Sequence, residues 1–152
     1  MSAQSRFRLP LRWLAAAAAI VTVTITAGAC KGKNPLNPSD YGVQVTDLVV
    51  GSGTQARQGR GLTVFYTLWL YDSTKPDGKG TQIESNVGGQ AFSFALGYGQ
   101  VIIGWDVGLD GMKAGGTRRL VVPPEAAYGA GGTGNIPGNS TLVFDIQLVG
   151  VF

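Results

Sequence analysis

Residues 62–71 read L-T-V-F-Y-T-L-W-L-Y. This run is β-branched and aromatic, with Val64, Tyr66, Leu68 and Leu70 on one face of an extended chain and Phe65, Thr67, Trp69 and Tyr71 on the other. A strand with one solvated face alternates apolar with polar residues; this one is apolar on both faces, which makes it the central strand of a sheet. Downstream, Asp72 to Gly80 is a long polar hairpin loop and Ala91–Leu96 a short strand. Thr117–Pro123 is a further strand, and in Ser140–Val149 the residues Leu142, Phe144, Ile146 and Leu148 alternate with Val143, Asp145, Gln147 and Val149. Upstream, Val43, Val45 and Leu48–Val50 form a first strand that Gly51-Ser-Gly-Thr ends. One segment departs from period two. From Val101 to Met112 the residues Ile102, Trp105, Leu109 and Met112 recur at spacings of three and four, the stripe of one helical face. Gly104 and Gly108 lie inside it and each costs about 1 kcal/mol relative to Ala, so packing has to hold this helix. The reading is an α+β domain, a twisted antiparallel sheet of about five strands wrapped around one short helix.

The remainder of the 152 residues is organised by charge. Arg6, Arg8 and Arg12 precede an uncharged stretch from Trp13 to Ala29 that runs into Cys30. A basic region, an apolar region and small residues before a cleavage point make an export signal over residues 1–29. Ala27-Gly28-Ala29 suits an ordinary signal peptidase, while A-G-A-C also resembles a bacterial lipobox, with Cys30 as the lipidated first residue of the mature chain. The position of the only cysteine favours the lipobox. An uncleaved anchor is a third option, since the apolar stretch meets the short end of the about 17 to 25 residues that span a bilayer. Residues 30–40, rich in Lys, Pro, Asn and Ser, read as a tether, and residues 41–152 as the domain. The protein is therefore expected to be exported to the cell envelope and held there through Cys30. Without residues 1–29, 9 of the 12 Lys and Arg remain against 9 Asp and Glu. The net charge of +3 thus belongs to the export signal, and no nucleic-acid partner is expected.

Absences narrow the chemistry. With no histidine, the chain has no Ser-His-Asp triad, no Cys-His nucleophile and no imidazole-bound metal. Gly129-Ala-Gly131-Gly-Thr-Gly134 matches the dinucleotide-binding pattern, but it follows a Pro-Pro turn and opens no helix. Asp72 to Gly78 resembles a calcium loop in composition alone, with Thr74 and Pro76 at ligand positions. Asn139-Ser-Thr141 is a glycosylation sequon that a bacterial-type export signal leaves unused. Arg118-Arg119 is two charges and no basic patch, with one of the pair expected on the solvated face of its strand.

A set of residues in fixed order then becomes recognisable. Tyr66, Phe92-Ser-Phe94-Ala-Leu-Gly, Val101-Ile-Ile-Gly-Trp105, Ala127-Tyr-Gly129, Ile136-Pro137 and Thr141-Leu-Val-Phe-Asp145 resemble the FKBP-type peptidyl-prolyl isomerases across nearly the whole domain. The resemblance implies a proline pocket. Tyr66 lines its wall, Phe92 and Phe144 its sides, Val101 and Ile102 its mouth, Trp105 its floor, and Ile136 one rim. It also implies that the Ile102 N–H and the Tyr128 hydroxyl grip substrate carbonyls, and that Ile83 and Glu84 contact the substrate beside Tyr66. Implied partners are proline-containing polypeptides and macrolide inhibitors, with no cofactor and no metal, acting as a monomer. Rotation about an X-Pro bond needs no nucleophile or proton relay, which suits a chain without histidine.

Three departures from the family pattern bear on specificity. The family's F-D-S stands here as Ile83-Glu84-Ser85, so an aromatic contact becomes aliphatic and a short acid a longer one. The loop from Asp72 to Gln82 is longer than in the smallest members. Ala126 replaces an aromatic residue two positions before Tyr128, and the glycine-heavy loop that follows is expected to be flexible over the pocket. The implied function is peptidyl-prolyl cis-trans isomerisation of extracytoplasmic proteins, with altered substrate preference. The alternative is a proline-binding or chaperone-like module of low activity on the same fold. A structural envelope lipoprotein would have no reason to keep Tyr66, Phe92, Trp105, Tyr128 and Phe144 together.

Overall fold

The computed structural model describes residues 37–152; the export signal at 1–29, Cys30 and the tether as far as residue 36 lie outside the described residues. A 3-10 turn at Pro38–Tyr41 comes first. It is followed by β1 (Gln44–Val49), β2 (Gly61–Tyr71), β3 (Lys79–Ser85), β4 (Phe92–Ala95), α1 (Ile103–Gly108), β5 (Thr117–Val122), a second 3-10 turn at Pro124–Ala126, and β6 (Leu142–Val151). The strands form one antiparallel sheet in the order β1-β5-β6-β2-β3, with β4 also on β2. As expected, β2 is central. One of its edges pairs with β6 along its length, while the other is shared, with β4 beside residues 61–64 and β3 beside residues 67–71.

The sheet has six strands where five were expected, and β3 is the addition. Its sequence, K-G-T-Q-I-E-S, carries one apolar side chain, Ile83, and so shows no period-two signal. Backbone pairing to β2 holds it, interrupted by two register shifts. The core lies between the concave face of the sheet and α1. Leu62, Val64 and Leu68 of β2, Leu120 and Val122 of β5, and Phe144, Ile146 and Leu148 of β6 close over Trp105, Leu109 and Met112. Three of the four residues of the helical stripe are thus buried, with Ile102 half-buried at the edge.

The two glycines inside α1 have a steric reason. A Cβ at Gly104 would collide with the Val122 side chain, and one at Gly108 would stand 2.8 Å from the methyls of Leu120. A four-residue step along a helix advances about 6 Å, close to the about 6.6 Å that separates two same-face residues of a strand. Gly104 and Gly108 therefore fall in register with Val122 and Leu120, and the helix axis comes close to β5.

The arginine pair divides between the two faces of β5, as expected, with Arg119 on the outer face and Arg118 turned inward. Arg118 is 8% exposed and points to the core side of β5. Its guanidinium donates to both carboxylate oxygens of Asp47 on β1 at 2.6 and 3.2 Å, and to the Gly108 and Asp110 carbonyls at 2.8 and 3.2 Å. A buried cation persists when paired and fully hydrogen-bonded; here it satisfies carbonyls at the end of α1 and ties β1 to β5. Arg119, on the opposite face, makes a bidentate pair with Asp145 of β6 at 2.7 and 2.9 Å. Lys79 joins the same carboxylate at 2.6 Å and lies 4.1 Å from the Trp69 ring centre.

Candidate active site

The concave face opens at one end into a cavity of about 180 Å³. Trp105 forms its floor, held on the inner face of α1 and 4% exposed. The Tyr66 and Phe144 rings stand perpendicular to the indole at 5.1 and 5.4 Å between centres, and Phe94 and Phe92 complete the cluster at 5.7 and 6.4 Å. Edge-to-face contact places the positive ring edge against a negative ring face, which fixes orientation as well as area. Phe92 stacks on Phe94 at 5.5 Å and is itself 41% exposed, so one side wall faces the mouth. The indole N–H of Trp105 is the one buried side-chain polar atom among the described residues with no hydrogen-bond partner. Its surroundings are aromatic rings, whose faces are weak acceptors.

The polar groups sit at the mouth. Ile102 ends the loop that enters α1, and its carbonyl accepts from the Trp105 N–H at 2.9 Å. Among the described residues no acceptor takes the Ile102 N–H, which leaves that donor available beside the cavity. Tyr128 stands opposite, 40% exposed and carried by the loop after the second 3-10 turn. Burial, and then the charge of Glu84, push the Tyr128 hydroxyl above the usual tyrosine range, so it is a donor at neutral pH. Tyr66 donates to Glu84 at 2.8 Å. Burial first, and that hydrogen bond second, push its pKa up to about 12. The Tyr66 backbone is clamped by Asn86, whose Oδ1 accepts from the Tyr66 N–H at 2.7 Å and whose own N–H donates to the Tyr66 carbonyl at 3.1 Å.

Of the residues singled out from sequence, Tyr66, Glu84, Phe92, Val101, Ile102, Trp105, Tyr128 and Phe144 line this one cavity. Ile83 and Ile136 do not. They line a neighbouring hollow of about 340 Å³ that shares Glu84 and Tyr128 with the first. The reason lies in β3 and the loop. Adjacent residues of a strand point to opposite sides, so with Glu84 turned toward the central cavity Ile83 is directed away from it, and Ile136 is a buried anchor, 7% exposed. The glycine-heavy loop expected to be loose is knitted by backbone bonds. Thr133 and Ile136 exchange hydrogen bonds at 3.0 and 2.8 Å, and the Asn139 N–H donates to Gly129 at 2.8 Å. Gly132 and Gly138 approach facing backbone so closely that a Cβ at either would overlap it. Two lining residues were missed from sequence, Leu68 and Gln100. Leu68 follows Tyr66 by two on the same face of β2, so period two could have found it; Gln100 gives no such signal.

Comparison with known proteins agrees with this geometry. Residues 52–149 match the sequence profile of the FKBP-type peptidyl-prolyl cis-trans isomerases. The chain is 43% identical over 112 residues to an FK506-binding protein of Neisseria meningitidis serogroup B, covering 73% of this chain and 97% of that protein. It is 46% identical over 111 residues to the 39 kDa FK506-binding nuclear protein of Drosophila melanogaster, covering 72% of this chain but 29% of that longer protein. The crystal structure of FkpA from Escherichia coli superposes with a TM-score of 0.60 at 37% identity, over 72% of this chain and 47% of that one. With profile, sequence and fold in agreement, this chain belongs to the FKBP-type peptidyl-prolyl cis-trans isomerase family.

Proposed function

We infer that the chain is a peptidyl-prolyl cis-trans isomerase acting on extracytoplasmic polypeptides, with the Trp105 cavity as its proline site. The observation that carries this is an apolar aromatic cavity whose mouth presents an unused backbone N–H and a phenol. A proline ring has no N–H and enters such a cavity at little polar cost. The planar X-Pro amide resists rotation by about 18 to 20 kcal/mol because rotation breaks its C–N resonance. In the twisted state the carbonyl dipole weakens, so a cavity poor in water favours that state over the planar one. The Ile102 N–H and the Tyr128 hydroxyl hold the flanking carbonyls, and the packed floor keeps the ring from turning with the chain. The Tyr66–Glu84 hydrogen bond fixes the wall. By the same chemistry the cavity accepts the macrolide FK506.

The test is a proline-limited peptide isomerisation assay on the full chain in detergent. An Ala-Leu-Pro-Phe peptide is expected to isomerise well above its spontaneous rate, with Tyr128→Phe losing about tenfold in kcat/KM. Trp105→Ala removes the floor and costs stability as well, about 3 to 5 kcal/mol. No acceleration by the parent chain removes the enzyme reading. What then stands is a proline-binding or chaperone-like module, favoured by the exposed apolar side chains Val87, Phe92, Tyr98 and Ile103.

The same proposal includes export through residues 1–29 and lipid attachment at Cys30, supported by the basic and apolar segments and the placement of the single cysteine. Cys30→Ser is expected to move the protein from the membrane to the soluble envelope fraction. An unchanged membrane fraction refutes lipidation. We also take the protein to act as a monomer, which sedimentation of the detergent-free Cys30→Ser form tests.

A further inference from the structure

Three hollows meet at one carboxylate. Glu84 lines the central cavity, the hollow beside Ile83 and Ile136, and a third hollow beside Asn86 and Gln90. A polypeptide with its proline in the centre would meet Glu84 whichever of the two flanking hollows its chain followed. The side chain is exposed. Its Oε1 accepts from the Tyr66 hydroxyl, while Oε2 has no hydrogen bond and the carboxylate has no ion-pair partner among the described residues. No Lys or Arg lines any of the three hollows. Asp47 and Asp145 differ, each neutralised by arginine. The charge of Glu84 is felt across the mouth, since it contributes to raising the pKa of both Tyr66 and Tyr128.

We propose that Glu84 is a charge selector, and that the site prefers X-Pro segments with Lys or Arg adjacent to the proline over those with Asp or Glu there. This rests on the isomerase reading, and it assigns a substrate class to that same site. An exposed carboxylate with no cation paired to it among the described residues attracts a substrate cation and repels a substrate anion. Exposed charge pairs are individually weak, so opposite substrate charges should differ by about fivefold in kcat/KM at low ionic strength. At 1 M salt, where the screening length falls to about 3 Å, the ratio should approach one.

The experiment uses the full chain in detergent and two peptide series, with Lys, Leu or Glu either just before or just after the proline. The Leu peptides report isomerase activity independently of charge. If they show no turnover, binding of the Lys and Glu peptides read by tryptophan fluorescence carries the same comparison. A Lys-to-Glu ratio of about five in at least one series is expected, falling to about one in Glu84→Gln and inverting in Glu84→Lys. Glutamine keeps an oxygen for the Tyr66 hydroxyl, and the residue is exposed, so the fold is retained. A ratio within twofold of one in both series at low salt overturns the proposal, as does a larger ratio that Glu84→Gln leaves in place.

Discussion

Asp106 follows Trp105 directly and ties the floor of the cavity to its mouth. Its Oδ1 accepts from the Gly97 N–H at 2.8 Å and its Oδ2 from the Gly99 N–H at 3.2 Å, while Gln58 donates to its backbone carbonyl at 3.0 Å. Gly97 and Gly99 both have positive φ, a conformation that other residues adopt only under strain. The carboxylate thus holds the loop that delivers Val101 and Ile102 against the helix that delivers Trp105. Hydrogen bonds to a charged acceptor are worth about 1.5 to 3 kcal/mol when lost. Asp106→Ala should therefore lower Tm, and at temperatures far below that Tm it should still cut kcat/KM by about tenfold, because the Ile102 donor is no longer fixed. Activity equal to the parent's under those conditions would show that the loop is positioned by other means. Tyr66 offers a second measurement at this scale. Its folded pKa of about 12 lies above the ordinary value of 10.0. Folded and unfolded chains both keep this proton below pH 10, but as pH climbs toward 12 the unfolded chain loses it first, so stability falls across that window. A tyrosinate absorbance titration should show a late component that Tyr66→Phe diminishes, Tyr128 supplying the rest; a late component that Tyr66→Phe leaves unchanged means Tyr66 is not held as described.

Among the elements, α1 was legible and β3 was not, and the reason is the same in both cases. Burial writes a pattern into sequence, and backbone pairing writes almost none. Ile102, Trp105, Leu109 and Met112 announce a helical face because a sheet covers them, whereas Lys79 to Ser85 contributes one half-buried apolar side chain and hydrogen-bonds through groups every residue has. Which arginine of the pair turns inward was not legible, for a related reason. A charged residue in a strand reads as solvated unless its partners are known, and these come from Asp47 and the end of α1, 71 and 10 residues distant. The proline site fared better, since its aromatic walls alternate on β2, β4 and β6; the sideways displacement of Ile83 and Ile136 depended on the register shifts between β2 and β3 and the folding of the loop. The helix glycines supply the prediction at this scale. On an exposed helix Gly→Ala gains about 1 kcal/mol, but here a methyl meets Val122 or Leu120. Overpacking of this kind costs about 1 to 3 kcal/mol. Gly104→Ala and Gly108→Ala should each destabilise the domain in denaturant unfolding, Gly104→Ala more, because its Cβ meets the stiff β-branched Val122. Stabilisation by either would show that α1 can lift from β5 without loss.

For the whole molecule, the ion pairs do on the convex face what the aromatic cluster does on the concave one, since they join strands that are remote in sequence. Asp145 of β6 takes Arg119 of β5 and Lys79 of β3, so one carboxylate links three strands across β2. Burial alone would raise its pKa, but hydrogen bonds and charge from Arg119 and Lys79 outweigh that and hold it below the usual aspartate range. Arg119 is reciprocally raised by Asp145 and stays charged at every relevant pH. A carboxylate whose folded pKa is depressed adds stability that is complete above its unfolded value, about 3.9, and that disappears as pH falls through the folded one. The domain should therefore keep a level Tm from neutrality down to about pH 5 and lose stability below pH 4. Asp145→Asn should lower Tm at pH 7, where it strands two cations, and should flatten the acid limb of the curve. If the parent and Asp145→Asn chains show parallel Tm profiles from pH 7 to pH 3, acid sensitivity arises elsewhere, and the network joins the strands without setting the pH range over which the sheet holds together.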